Sequence, residues 1–312
     1  MIEKPLLLIV GPTASGKSAF AIRVAQAFKA EIVSADSRYL YRELEIGVAK
    51  PSAGELAAAK HHLINVASLE EPWNLGLYKQ SATRFIDEIH QRSGLPILVG
   101  GTGQYVRAIL QNWQVPSHGP VDQLREDLET IGNRIGFDKL YEMLSAIDPQ
   151  AAANIDYRNH RRTIRALEVI LSTGKKFSDL RDKEPPPYNT LILGLELPRE
   201  ILYARIDQRI DDMIAQGLVG EVQGLLDSGF GPTLETMRVI GYNEIMAHLR
   251  GEITLKEAIA LVKRNTRIYV RRQANWFKPS DPDIHWLNAQ DPALFEIALD
   301  LVENKLGITA KE

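Results

Sequence analysis

Cysteine is absent from the 312-residue sequence, which excludes disulfides, thiolate metal sites and a cysteine nucleophile. No apolar run approaches the roughly 20 residues that a transmembrane helix requires. An apolar segment begins almost at the first residue, which predicts that no cleavable signal peptide precedes it. These absences predict a soluble, cytoplasmic protein without a membrane partner.

The sequence also lacks a large excess of charge of either sign: 37 Lys and Arg residues are balanced by 40 Asp and Glu residues, for a formal net charge of −3. This balance argues against a nucleic-acid surface that covers the whole molecule. Basic residues nevertheless cluster in two segments: Arg158, His160, Arg161, Arg162 and Arg165, and then Lys263, Arg264, Arg267, Arg271 and Arg272. Either cluster alone is more typical of a solvated face, but together they favour a phosphate-bearing partner.

The sequence does contain a complete phosphate-loop pattern, G-x-x-x-x-G-K-[ST]. It is formed by Gly11, Pro12, Thr13, Ala14, Ser15, Gly16, Lys17 and Ser18. An apolar run at residues 6–10 predicts a strand before it, and residues 19–30 predict a helix after it, which is the context the motif requires. Loop N–H groups and Lys17 are expected to bind a di- or triphosphate, and the Ser18 hydroxyl to bind Mg²⁺.

Strand and helix patterns alternate through the first hundred residues. Further strands are predicted at 31–35 and 96–99, with a helix at 75–92 between them. The fold class is therefore α/β, a phosphate-loop core with a parallel sheet flanked by helices. Because ligands bind beyond the carboxyl ends of parallel strands, the phosphate loop, Asp36 and Thr102 are expected at one edge.

Two proline-rich linkers, at 116–120 and 184–187, enclose a helical stretch. Residues 117–186 are therefore predicted to form a helical insertion domain, and residues 1–116 and 187–312 the α/β core with C-terminal helices. A strand at 191–195 returns to the sheet, residues 199–249 are mostly helical, and a last helix covers 256–277. No internal repeat is present.

The last helix is amphipathic in pattern. At 100° per residue, Val262, Tyr269 and Trp276 share one face, which we expect to pack on the core. Arg264, Arg267, Arg271 and Asn275 share the opposite face, without acidic partners one turn away. The pattern favours a row of guanidinium groups that contacts phosphates over an ordinary solvated face.

A phosphate loop is most often that of an ATP-binding kinase or triphosphatase. Such enzymes usually place an acid after a strand to hold Mg²⁺, and the only candidate is Asp36. From the residues alone Asp36 is a ligand of Mg²⁺-bound water or a helix N-cap, and the metal role is favoured. The guanine-reading N-K-x-D is absent, which disfavours a nucleotide switch but leaves a small-molecule kinase open.

The motifs together resemble the tRNA dimethylallyltransferase (tRNA isopentenyltransferase) family. After the phosphate loop the resemblance covers Ser34 to Ser37, Gly47 to Pro51, His61 to Ile64, Val99 to Gly103, Arg162 to Val169, Arg205 to Arg209, Ile240 to Tyr242 and Thr266 to Phe277. These segments appear in the family's order over roughly residues 5 to 280. The sequence ends soon after the basic helix without the zinc-finger tail of some eukaryotic relatives, which resembles the bacterial type.

The resemblance implies transfer of a dimethylallyl group from dimethylallyl diphosphate to N6 of the adenine at tRNA position 37, giving N6-isopentenyladenosine and diphosphate. It implies that the phosphate loop holds the allylic diphosphate, with Mg²⁺ on Ser18. Lys17, Thr13 and Arg209 would stabilise the departing diphosphate, and Asp36 would be the general base.

The resemblance also implies contacts with the tRNA anticodon stem-loop. The residues concerned are Asp36, Ser37, Arg38, Tyr39, Thr102, Arg125, Arg161, Arg162, Thr163, Ile164, Arg165, Arg238, Val239, Ile240, Gly241, Tyr242, Asn243, Arg271, Arg272, Gln273, Ala274, Asn275, Trp276, Phe277 and Lys278. The adjacent His61 and His62 suggest a metal site, but in a helix they would point apart, so a structural role is expected. A monomer is expected.

Three alternatives differ in the acceptor or the class of protein. An adenylate isopentenyltransferase would use the same donor on free AMP, ADP or ATP, but would not need the insertion or the basic helix. A small-molecule kinase would place ATP in the loop. A non-catalytic RNA-binding module would need neither Asp36 nor a complete phosphate loop.

Overall fold

The structure, a computed structural model, describes residues 4–71, 73–115, 122–179 and 187–310. The chain divides into two compact units. The first unit comprises residues 1–72, 81–106 and 187–312, and the second comprises residues 73–80 and 107–186. The predicted boundaries at 116/117 and 186/187 involve residues outside the described ranges.

The centre of the first unit is a parallel sheet. In the described part of the chain its strands are β1 (Pro5–Val10), β2 (Glu31–Ser34), β3 (His61–His62), β4 (Pro96–Val99), β5 (Asn189–Glu196) and β6 (Ile284–Asn288). They lie in the order β3-β2-β4-β1-β5-β6, and every neighbouring pair is parallel. The predicted parallel α/β core and the four predicted strands are confirmed. The two edge strands, β3 and β6, were not predicted.

Fourteen helices are found among the described residues. They are α1 (Lys17–Phe28), α2 (Ala53–Ala58), α3 (Leu75–Gln91), α4 (Gly103–Leu110), α5 (Asp122–Ile135), α6 (Phe137–Ile147), α7 (Pro149–Ala153), α8 (His160–Thr173), α9 (Arg199–Ala215), α10 (Leu218–Asp227), α11 (Gly231–Met237), α12 (Tyr242–Leu249), α13 (Leu255–Gln273) and α14 (Leu294–Leu306). A 3₁₀ turn covers Ile46–Val48. No helix in these ranges is both long enough and apolar enough to span a bilayer.

The core of the first unit explains why the central strands carry almost no polar residues. Side chains of β1 and β4 pack with those of α1 and α14 in one apolar cluster. Leu7, Ile9 and Ile97 have no exposed surface, because the central strands are covered on both faces. This buried centre fixes the carboxyl ends of the strands, where the loops that follow them meet.

The second unit is helical where it is described, with its own apolar core. Leu128 of α5, Leu140 and Leu144 of α6, and Ile164 and Leu167 of α8 form that core. Apolar residues recur along each helix at intervals of three or four, so each helix buries a single face.

Candidate active site

The phosphate loop, residues 11–18, connects the end of β1 to the start of α1. Gly11 and Gly16 have φ angles of 142° and 96°, a region that glycine adopts easily. A Cβ on Gly11 would lie 2.5 Å from the carbonyl oxygen of Leu195, so the loop requires glycine there. Because α1 begins at Lys17, its first N–H groups have no partner within the helix. The loop therefore presents an anion-binding helix N-terminus.

Lys17 is half-buried, and its ammonium group donates a hydrogen bond of 2.7 Å to the carbonyl oxygen of Pro12. Burial lowers the pKa of Lys17 to about 8, while Asp36 acts to raise that pKa and Arg209 to lower it. Two basic groups, Lys17 and Arg209, thus lie near Asp36. This arrangement favours an anionic ligand, which would restore full protonation of Lys17.

The first cavity has a volume of 230 Å³. Thr13, Lys17 and Ser18 of the phosphate loop and α1 line it together with Asp36 and Arg209. Its apolar lining comes from Ala21, Ile32, Val48, Pro51, Ile64 and Val99. The cavity can accommodate a ligand that has both a charged and an apolar part.

The second cavity has a volume of 320 Å³. Its lining includes Thr102, Arg238 and Tyr269. Four residues line both cavities: Thr13, Asp36, Val48 and Arg209. A ligand in one cavity therefore meets a ligand in the other beside a hydroxyl, a carboxylate and a guanidinium group.

Asp36 is placed by the loop that follows β2. Its Oδ1 accepts a hydrogen bond of 2.9 Å from the Arg38 N–H, and the Ser37 N–H donates to Thr102 Oγ1 at 3.0 Å. The Thr102 N–H donates to the Ala35 carbonyl oxygen at 3.1 Å, which ties this loop to the one after β4. The chain makes a turn after Asp36, so the helix N-cap alternative is wrong. The carboxylate is left at the wall of both cavities.

The neighbouring side chains of this loop divide between the cavities. Arg38 lines the second cavity, and its guanidinium group donates to the Met237 carbonyl oxygen at 2.9 Å. Tyr39 lines the first cavity, and its hydroxyl donates to the Ala49 carbonyl oxygen at 2.8 Å. Burial raises the pKa of Tyr39, so it is neutral at ordinary pH.

The segment after α11 forms part of the wall of the second cavity. Arg238, with a φ of 48°, ends α11, and Val239, Ile240 and Gly241 continue along the wall. Tyr242, in contrast, is fully buried, and its hydroxyl donates to Glu221. Glu221 in turn accepts hydrogen bonds from the N–H groups of Ile46 and Gly47, at 2.7 and 3.3 Å. Tyr242 therefore does not line the cavity, but through Glu221 it stabilises the segment that contains Ile46 and Gly47.

Helix α13 begins with a capping box, in which the Thr254 and Glu257 side chains each bond to the other's backbone N–H. Its basic residues fall into two groups. Arg264, Arg271 and Arg272 are exposed. Arg267 instead pairs with Asp207 on α9, and Lys263 pairs with Asp211 at 2.7 Å. The prediction of an unpaired guanidinium row is therefore wrong for Arg267, because helical periodicity does not show acidic partners on another helix.

The end of α13 differs from the prediction in two further ways. The helix ends at Gln273, residues 274–276 form a turn and residue 277 a bend. Tyr269 and Trp276 were expected in the core but are 38% and 36% exposed. Val262, Val270 and Phe277 are the buried apolar residues of this segment. Ala274, Asn275 and Lys278 are exposed, and Gln273 is buried.

Trp276 and Tyr269 nevertheless have defined surroundings. The Trp276 ring lies against Gly103, where an added Cβ would come within 2.1 Å of the ring. The Tyr269 hydroxyl lies close to the side chains of Gln273 and Thr102. Tyr269 is exposed because it borders the second cavity, whose presence no local sequence pattern reveals.

The basic cluster of the second unit is partly used in its own packing. Glu168 of α8 is buried and accepts hydrogen bonds from Arg125 at 2.9 Å and from Arg165 at 2.5 Å. Thr163 and Ile164 are also buried. Of the residues predicted to bind tRNA here, Arg161 is exposed, and Arg162 is half-buried and lines a further cavity together with Phe177.

The two adjacent histidines lie in strand β3, so the expectation of a helix there is wrong. Alternation along the strand sends their side chains to different surroundings. His62 Nε2 lies 2.7 Å from a carboxylate oxygen of Glu31, a structural contact. His61 lines the first cavity, and burial lowers its pKa. Among the described residues no group of three or more His, Cys, Asp or Glu could hold a metal ion.

Several cavity residues were not assigned a role from the sequence. Val48, Pro51 and Glu55 line the first cavity, and Met213 and Thr266 line the second. The segment from Gly47 to Pro51 carried a signal, because it is one of the motifs of the resemblance. Thr266 likewise begins one of those motifs. Met213 lies on a long helix, where nothing local distinguishes a cavity wall from an ordinary surface.

Comparisons with known proteins agree with this geometry. Residues 39–280 match the sequence model of the IPP transferase family. The chain belongs to that family. A tRNA dimethylallyltransferase of Thermomicrobium roseum is 43% identical over 304 residues, which are 97% of this chain and 92% of the relative. One from Roseiflexus sp. is 49% identical over 274 residues, 88% and 90% of the two chains.

Solved structures of IPP transferases have the same fold. The full-length tRNA isopentenylpyrophosphate transferase of Bacillus halodurans is 37% identical with a TM-score of 0.72, covering 98% of this chain and 97% of that one. A eukaryotic dimethylallyltransferase, described as acting on tRNA, is 27% identical with a TM-score of 0.82, covering 99% of this chain and 81% of that one. The resemblance drawn from the motifs is therefore confirmed.

Proposed function

We propose that this protein transfers the dimethylallyl group of dimethylallyl diphosphate to N6 of the adenine at position 37 of tRNA. The products are N6-isopentenyladenosine and diphosphate. The observation that carries the proposal is the sharing of Thr13, Asp36 and Arg209 by the two cavities. Two substrates in adjacent cavities would meet beside these three side chains.

The donor is assigned to the first cavity. Its diphosphate would lie on the phosphate loop, where the N–H groups at the start of α1 and the Lys17 ammonium group favour negative charge. Its five-carbon chain would contact apolar residues such as Val48 and Ile64. A lining that is part charged and part apolar supports an allylic diphosphate better than a nucleotide.

The departure of diphosphate breaks the bond between C1 of the allyl group and oxygen, and both electrons go to that oxygen. Lys17, Arg209 and the Thr13 hydroxyl would stabilise the charge that develops there. Removal of one preorganised donor of this kind typically costs about 3 kcal/mol. The loop therefore contributes to the reaction by holding the leaving group.

The acceptor is assigned to the second cavity. Adenine N6 attacks C1 as the bond to oxygen breaks, and it then loses a proton. Asp36 lines both cavities and is the carboxylate placed to take that proton. Because the adenine of an RNA loop must leave its stack to reach such a site, the cavity would receive an extruded base.

A Mg²⁺ ion fits the oxygen donors of the first cavity. The Ser18 hydroxyl and the carboxylates of Asp36 and Glu55 line it. Mg²⁺ is usually held by one or two protein oxygens together with substrate phosphates and water, so a larger acidic cluster is not needed. When bound, the ion would neutralise charge on the diphosphate.

The tRNA partner is assigned to the exposed basic residues of both units. The exposed residues concerned are Arg264, Arg271 and Arg272 in the first unit and Arg161 in the second. Phosphate contacts of this kind orient an RNA without reading its sequence. The proposal includes a monomer that acts in the cytoplasm, where its substrate tRNA is found.

One assay separates this function from its alternatives. The protein is incubated with Mg²⁺ and radiolabelled dimethylallyl diphosphate, together with either tRNA or AMP, and ATP hydrolysis is followed in parallel. Label in tRNA alone is expected. Label in AMP would indicate an adenylate isopentenyltransferase, and ATP turnover without label transfer would indicate a kinase or triphosphatase.

A further inference from the structure

Gln273, the last residue of α13, connects two loops that are distant in sequence. Its Oε1 accepts a hydrogen bond of 3.0 Å from the Thr13 N–H, and its Nε2 donates one of 3.0 Å to the Gly101 carbonyl oxygen. The residue is only 4% exposed. Both functional groups of the amide are therefore used inside the protein.

The space around the amide is closely filled. A Cβ on Gly101 would lie 2.3 Å from Gln273 Nε2, so the backbone of that loop lies directly against the side chain. The hydroxyl of Tyr269, one helical turn earlier, lies close to both Gln273 and Thr102. The C-terminal turn of α13 is thus joined to the phosphate loop and to the loop that follows β4.

The bond to Thr13 has a consequence for the phosphate loop. Because the Thr13 N–H already donates to Gln273, it is engaged and is not one of the loop N–H groups that a phosphate in the first cavity would use. The orientation of Thr13 is fixed by this bond, and Thr13 lines both cavities. A residue that fixes the position of Thr13 therefore fixes one of the side chains that lie between the two proposed substrates.

We propose that Gln273 is a positioning residue for the transfer reaction and does not contact tRNA. Its amide keeps Thr13 at the boundary of the cavities by accepting from one loop while donating to another. The proposal rests on the proposed function, because it concerns the hydroxyl assigned to the leaving group. The two bonds require one acceptor and one donor at once, and an amide or a neutral carboxylic acid provides both in a side chain of nearly the same size.

That requirement gives an unusual test, in which Gln273→Glu and Gln273→Met are compared with the wild type. Methionine fills a similar volume but makes neither bond. An ionised glutamate can accept from Thr13 but cannot donate to Gly101, whereas a protonated glutamate can do both. Burial acts to raise the pKa of the introduced carboxyl group, because its charged form would lose hydration, while the bond from the Thr13 N–H acts to lower it.

Single-turnover transfer is measured with saturating donor and tRNA over a range of pH. We expect Gln273→Met to transfer about 10- to 100-fold more slowly, since small displacements of catalytic groups have effects of this size. Its tRNA affinity should stay within about twofold of the wild type, because no RNA contact is lost. The rate of Gln273→Glu relative to the wild type should rise as the pH falls, while that of Gln273→Met stays level.

The outcomes separate the two proposals. Suppose the wild type is active. If the rate of Gln273→Glu relative to the wild type does not change with pH, or if Gln273→Met transfers as fast as the wild type, only the positioning role is overturned. If Gln273→Met does not fold, the pH dependence of Gln273→Glu still decides. Loss of tRNA affinity without loss of the single-turnover rate would make Gln273 an RNA-binding residue. A wild type that labels no acceptor overturns the proposed function and this inference with it.

Discussion

The guanidinium group of Arg267 pairs with the carboxylate of Asp207 and lies over the ring of Tyr203, 5.2 Å from its centre. These contacts attach α13 to α9 within the first unit. Arg271, one turn further along α13, is exposed. Two arginines that share a helical face in the sequence therefore differ in role, one in packing and one available to a phosphate.

A comparison of Arg271→Ala with Arg267→Ala tests this difference. We expect Arg271→Ala to flatten the log–log salt dependence of tRNA binding by about 0.7 to 0.9, with an unchanged melting temperature. Arg267→Ala should lower the free energy of unfolding by about 1 kcal/mol, because Asp207 loses its partner. Filter binding at several salt concentrations and thermal melts measure both effects. An unchanged slope for Arg271→Ala would mean that the tRNA is held elsewhere.

Lys17 predicts how donor binding depends on pH. Its pKa is lowered to about 8 by burial, so in the free protein the ammonium group is lost as the pH rises through that value. Donor affinity should then weaken by up to about tenfold per pH unit above it. Lys17→Arg keeps its charge and should remove this dependence. Calorimetry below and above pH 8 measures donor affinity for the wild type and for Lys17→Arg. If the affinities of the two proteins depended on pH in the same way, the assignment of this dependence to Lys17 would be contradicted.

The same lowered pKa has the opposite effect on the stability of the protein without donor. Between about pH 8 and 10.5 the unfolded state binds more protons at Lys17 than the folded state does. The contribution of Lys17 to stability therefore rises with pH across that interval. Chemical denaturation of the wild type and of Lys17→Arg isolates this contribution, which should be missing from the variant.

Asp36→Asn separates the base from the loop that carries it. An asparagine keeps the oxygen that accepts from the Arg38 N–H, so the turn should be preserved, but it cannot take a proton. We expect kcat to fall by at least about 100-fold while tRNA affinity changes little. Single-turnover rates and filter binding on the same preparation test this. Transfer close to the wild-type rate would assign the base to another residue.

Glu168→Ala tests the packing of the second unit. The substitution leaves Arg125 and Arg165 without their buried partner, which should lower the free energy of unfolding by about 3 kcal/mol. Urea denaturation measures the loss. Unchanged stability together with tighter tRNA binding would contradict this. It would mean that pairing with Glu168 keeps Arg125 and Arg165 from contacting RNA and does not stabilise the second unit.

The features that could be predicted from the sequence are those with a local cause. The phosphate loop is contiguous, and the strand before it and the helix after it each have their own apolar pattern, so all three were predicted correctly. Asp36 comes two residues after the end of β2, so its place at the edge of the sheet follows from the local sequence. Strand β3 consists of two residues, which is too short for any periodic pattern to appear.

The features that could not be predicted depend on residues far apart in the chain. Thr13 and Gln273 are separated by 260 positions and Asp207 and Arg267 by 60, and no periodicity within a helix indicates either contact. Tyr269 was placed in the core because it shares a face with Val262. The second cavity lies beside that face, so residues with a core-like apolar spacing, such as Val262 and Tyr269, line the cavity.

The most direct test of transfer to adenine N6 uses two tRNA molecules that differ only at position 37, one with adenosine and one with purine riboside, which lacks the N6 amino group. Both are incubated with the wild type, Mg²⁺ and radiolabelled dimethylallyl diphosphate, and their affinities are measured separately. We predict that both tRNAs bind but that only the adenosine tRNA becomes labelled. Equal labelling of the two tRNAs, or labelling of neither under conditions in which both bind, would contradict transfer to adenine N6.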